Sequence, residues 1–76
     1  MTRKEFIKKF NLTRTKTKCC FFDGRIYKER MLYVNDNGTL YTIYDKDLFT
    51  IRPYKQYVDG MEKLDCSLGA AYSWYH

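Results

Sequence analysis

Three turn signals constrain the fold of this chain more than any other feature. Asp23-Gly24, Asn37-Gly38 and Asp45-Lys46-Asp47 each favour a tight reversal, because Gly and Asn tolerate positive φ and Asp bonds to nearby main-chain N–H groups. Between them lie short runs rich in β-branched, aromatic and aliphatic residues, which is strand chemistry. The expectation is an antiparallel meander. Residues 16–22 and 25–34 form its first pair. A hairpin from Val34 through Asn35-Asp36-Asn37-Gly38 returns along Thr39–Tyr44, and Leu48–Arg52 follows the third turn.

Turn type sets register. Asn37-Gly38 as a type I′ turn places Val34 opposite Tyr41 and Leu32 opposite Ile43. A three-residue loop at Asp45–Asp47 places Ile43 opposite Phe49 and Tyr41 opposite Ile51. The expected core face is then Leu32, Val34, Tyr41, Ile43, Phe49 and Ile51. The other face, Met31, Tyr33, Leu40, Thr42, Tyr44, Leu48 and Thr50, is mixed rather than polar.

The flanks read as helical. Residues 2–10 carry a capping box, Thr2-x-x-Glu5, with Met1 and Phe6 at the positions of a hydrophobic staple. Phe6, Ile7 and Phe10 share one face and need a surface to pack on, since two turns are unstable alone. Beyond Pro53, the spacing of Tyr54, Tyr57, Val58, Met61 and Leu64 predicts a helix over 54–66, interrupted by Asp59-Gly60. The tail Gly69–His76 reads as a last strand or packed arm. The expected architecture is α+β in a single domain, 1–76: a short N-terminal helix, a meander of about four strands, then a C-terminal helix or aromatic arm. The alternative is a small closed SH3/Sm-like β-barrel with a leading helix.

Charge is uneven. Residues 1–30 hold ten bases against three acids, a net +7, whereas residues 31–76 are net −2. In Thr13–Lys18 the alternation places Arg14, Lys16 and Lys18 on one strand face. Together with Lys4, Lys8 and Lys9 on the helix, and Arg25, Lys28 and Arg30 across the first hairpin, they form a candidate basic patch. Aromatics are 18% of the chain, more than one small core hides, so Tyr33, Tyr44, Tyr72, Trp74 and Tyr75 are candidate partner-binding anchors.

Catalytic chemistry lacks its parts. The one His is the last residue, no carboxylates form a recognisable pair, and no P-loop, dinucleotide fingerprint or EF-hand loop is present. Cys19, Cys20 and Cys66 have no metal-ligand spacing. No enzyme activity and no metal or cofactor are expected. Apolar runs of four residues cannot span a membrane, no signal peptide follows the basic start, and reduced thiols fit the cytoplasm.

In composition the chain resembles small accessory proteins of bacteriophages or mobile elements: short, compact, rich in Tyr, Lys and Asp, poor in Ala. The resemblance implies stoichiometric inhibition of a host enzyme or defence complex. The expected partner is thus a host protein or nucleoprotein complex with an acidic surface. Direct binding of single-stranded RNA or DNA is the alternative, and self-association through an edge strand is a further expectation.

Overall fold

The computed structural model describes residues 2–22, 27–44 and 47–72, and for Phe22, Tyr27, Tyr44 and 68–72 the main chain alone. The staple residue Met1 and the Asp23-Gly24 and Asp45-Lys46 turn residues lie outside that set. The elements are α1 (Arg3–Phe10), β1 (Thr13–Phe22), β2 (Tyr27–Val34), β3 (Leu40–Tyr44), β4 (Asp47–Pro53) and β5 (Lys63–Tyr72). The strands close into a barrel in the order β1-β2-β3-β4-β5, so a small closed barrel with a leading helix is found in place of an open meander with a C-terminal helix. An up-and-down meander with an odd number of strands ends with its first and last strands pointing the same way. Closure therefore requires one parallel pair, and β1 and β5 supply it at Lys18↔Lys63, Cys19↔Leu64 and Cys20↔Asp65.

The leading helix forms as its sequence dictates. Glu5 N–H donates to Thr2 Oγ1 at 3.2 Å, and Thr2 N–H donates to Glu5 Oε1 at 3.1 Å. These bonds satisfy main-chain donors that a first turn leaves free. They also hold the Glu5 carboxyl below its usual pKa, the Thr2 main-chain bond first among the causes. Asn11 ends the helix at φ 53°, ψ 52°, a left-handed conformation that Asn tolerates better than most residues. Its side-chain amide donates to the Asp36 carboxylate, tying the helix end to the β2–β3 turn.

Both hairpin registers differ from expectation by one residue. Gly38 N–H donates to Asn35 O at 3.1 Å, which closes the turn one position earlier, and Gly38 takes φ 81°. Asn35 Oδ1 accepts from Asn37 N–H (3.0 Å) and Thr39 N–H (2.9 Å). The result is a three-residue connection with a left-handed Gly at its end, and Val34 opposes Leu40. At the next turn Tyr44 pairs with Asp47, leaving two residues between the paired ends instead of three. Thr42 consequently opposes Phe49, and Ile43 opposes Leu48. The two shifts act together: β3 is turned over relative to both neighbours, while β2 and β4 keep their expected relation.

Two cores result, one on each side of β2–β4. Cys19, Phe21, Leu32, Leu40, Ile51, Leu64 and Cys66 come from all five strands and fill the barrel. Phe6, Leu12, Tyr33, Tyr41, Ile43 and Leu48 form the second core, with Ile7, Phe10 and Met31 at its margin. The helix lies over the outer face of β2–β4 through this layer. Phe6 is 0% exposed, and the Phe10 ring stands 6.4 Å from those of Phe6 and Tyr41. Buried threonines are satisfied by main-chain carbonyls: Thr15 Oγ1 donates to Leu32 O and Thr17 Oγ1 to Met61 O, both at 2.7 Å.

The helix expected over 54–66 does not form. Met61 N–H donates to Val58 O, Gly60 takes φ 89°, and β5 begins at Lys63. Asp59-Gly60 is a turn, and the helical spacing of apolar residues is met differently. Tyr57 and Met61 pack on the barrel core, whereas Tyr54 (73%) and Val58 (61%) are exposed.

Candidate functional site

The sequence-predicted basic residues divide into three groups. Lys4, Lys8 and Lys9 lie on the exposed side of α1, with Lys8 and Lys9 in the last turn, where the helix dipole favours cations. Arg14, Lys16 and Lys18 alternate along β1 with buried Thr15, Thr17 and Cys19, so they share its outer face as the pattern implied. Lys28 and Arg30 pair with Phe21 and Cys19. Directly opposed residues share a face, so these two belong to the other side of the sheet and do not extend the Arg14–Lys18 row. Arg25 lies outside the described residues.

Among the candidate aromatic anchors, Tyr33 is corrected. It is 1% exposed beneath α1, and its hydroxyl accepts from Arg3 Nη1 at 3.3 Å. Turning β3 over placed Tyr41 beside it as core, so no Tyr33 surface is offered. Tyr44 and Tyr72 are described by main chain alone, in β3 and β5. Trp74 and Tyr75 lie outside the described residues.

The outer face of β1 is not covered by the helix, and its cations differ in environment. Glu29 pairs with Lys63 at 2.8 Å and with Lys18 at 4.0 Å. The Lys63 hydrogen bond holds the Glu29 carboxyl below its usual pKa, and Glu29 raises the Lys63 ammonium in turn. Arg14 and Lys16 have no acidic partner among the described residues. They are the uncompensated charges of this face.

An open cleft of about 600 Å³ lies beside them, lined by Thr13, Arg14, Thr15, Lys16, Val34, Tyr57, Asp59 and Gly60. Its origin is in the strand pairing. The β1–β5 ladder begins only at Lys18, where Lys18 N–H donates to Glu62 O at 3.1 Å. Thr17 Oγ1 holds Met61 O just before it, and ahead of Thr17 the segment with Tyr57, Asp59 and Gly60 stands off from β1 and forms the far wall. There Tyr57 OH donates to Asp59 Oδ1 at 3.1 Å. Sequence reasoning found Arg14 and Lys16 but missed Tyr57, Asp59 and Gly60, because it placed them on a helix; Asp59-Gly60 was the signal that argued for a turn.

Other chemistry is sparse. The Cys66 thiol lies 3.5 Å from Cys20 O and hydrogen-bonds toward Cys19. That bond brings Cys19 down to about 7, while donation to Cys19 and burial push Cys66 up. Cys19 is fully buried, which leaves it without access to a substrate. Among the described residues no three His, Cys, Asp or Glu side chains gather to hold a metal, and no helix is long and apolar enough to cross a membrane. No protein-family model, curated protein or solved structure matches the chain.

Proposed function

We propose that this chain is a non-catalytic binding protein that takes an acidic macromolecular surface against the uncovered side of β1 and acts by occupying it. One observation carries the reading: Arg14 and Lys16 project, without an acidic partner among the described residues, from the strand that α1 leaves bare, beside an open cleft. Unpaired surface cations steer an acidic partner and speed its association more than they add affinity. The compositional likeness to phage and mobile-element accessory proteins makes a host protein or nucleoprotein complex the fitting partner class, and steric blockade the fitting mode.

Direct nucleic-acid binding is less well supported by the cleft. Its aromatic residue, Tyr57, is one ring, half-buried against the barrel core, where binding of unpaired bases uses successive stacking platforms. Immobilised protein in bacterial lysate, with and without nuclease, tests the proposal beside an Arg14→Glu/Lys16→Glu variant. Retention of a protein that survives nuclease and is lost with the double reversal is the expected result. Equal retention by the variant, or retention that vanishes with nuclease, overturns it.

A further inference from the structure

The cleft touches four consecutive residues of β1, Thr13 to Lys16. Successive strand residues point to opposite faces, so a cleft that meets both sets runs along the strand's edge, not over one face. On that edge Thr13–Lys16 have no strand partner among the described residues, because Thr17 is already held to Met61 O and β5 pairs only from Lys18. The free length is about 10 Å at ~3.3 Å per residue, the reach of a short added strand. We propose that this edge takes an extended peptide segment of the partner by strand addition, with acidic side chains alternating with small apolar ones. The inference rests on the binding role proposed above and names its ligand chemistry.

The alternation follows from the lining. On one face an added strand meets Arg14 and Lys16, two residues apart and without acidic partners, so opposed carboxylates form cross-strand ion pairs. On the other face it meets Thr13, Thr15, Val34 and the Tyr57 ring, which suits Val or Thr. Asp59, already accepting from Tyr57, repels any anion on its side of the cleft, so the carboxylates of the added strand belong on the Arg14 and Lys16 face.

The test uses the full chain and fluorescein-labelled hexapeptides. One is (Glu-Val)3. The second replaces each Val with Pro, which keeps the charge but removes ladder N–H groups. The third probe is hexathymidylate. The expected result is that (Glu-Val)3 binds at least tenfold more tightly than the other two. Amide shifts in a labelled protein should concentrate at Thr13–Lys16 and Tyr57–Gly60, and Arg14→Glu/Lys16→Glu should weaken binding tenfold or more. Its circular dichroism and melting temperature are checked first; if it is unfolded, Lys16→Glu alone serves. Equal binding of the Pro peptide reduces the site to a cation and overturns strand addition, as does preferential binding of hexathymidylate. No peptide binding, with lysate capture intact, overturns strand addition alone; loss of both overturns the binding role as well.

Discussion

Phe6 is the residue through which the helix is joined to the barrel, and replacing it tests that joint. The ring is 0% exposed in a layer with Tyr33, Tyr41, Ile43 and Leu48. Truncation to Ala removes its burial and leaves a cavity, which costs about 3–5 kcal/mol for a buried Phe. A chain of 76 residues has a total stability on the order of 4–11 kcal/mol. Phe6→Ala therefore removes about a quarter of it or more, and melting should fall by at least about 12 °C at ~4 °C per kcal/mol. Phe6→Leu, with about three carbons fewer at ~0.8 kcal/mol each, should lose about 2 kcal/mol. Urea unfolding followed by far-ultraviolet circular dichroism reads both variants on one scale. The reasoning fails if Phe6→Ala costs less than about 1 kcal/mol, because the helix would then not be packed on the outer face of β2–β4.

Gly38→Ala should cost about 1 kcal/mol or more in urea, although nothing crowds its Cβ position, because φ is 81° there; a neutral change would refute the turn geometry. Thr2→Ala should lose about 1 kcal/mol of stability by removing the cap bond to Glu5, and Thr2→Ser should restore most of it. The Glu29 carboxyl should titrate below the ordinary glutamate range by carbon-detected NMR, since Lys63 favours its ionised form. Its folded pKa is depressed, so the contribution is present above the unfolded pKa and is lost as pH falls through the folded one. Lys63→Met should return the Glu29 midpoint toward the ordinary range, and an unmoved midpoint would remove the pair as cause.

What could be read from the sequence depended on whether one face or two were buried. The α1 cap was legible because Thr2 and Glu5 act within a single turn. The exposed row Arg14, Lys16, Lys18 was legible because β1 buries one face, so polarity alternates with it. On β2–β4 both faces are buried, one in the barrel and one under α1, and a one-residue slip changes no hydrophobic count. The deciding groups were local: Asn35 Oδ1, with its two N–H partners, holds the turn one residue earlier in the chain. The segment after Pro53 misled because its apolar spacing is helical, yet Tyr57 and Met61 reach the core from a loop while Tyr54 and Val58 face outward. Asp59-Gly60, read as an interruption of a helix, is the turn that leads into β5 and walls the cleft.

The cleft and the bare β1 edge both depend on how residues 54–65 run, so a nuclear Overhauser spectrum of the labelled protein tests the account most directly. The account predicts contacts of parallel pairing between Cys19 and Leu64 and between Cys20 and Asp65, with no run of Hα–HN(i, i+3) contacts across 54–62. A continuous helical run there, without the β1–β5 contacts, would contradict barrel closure and remove the cleft.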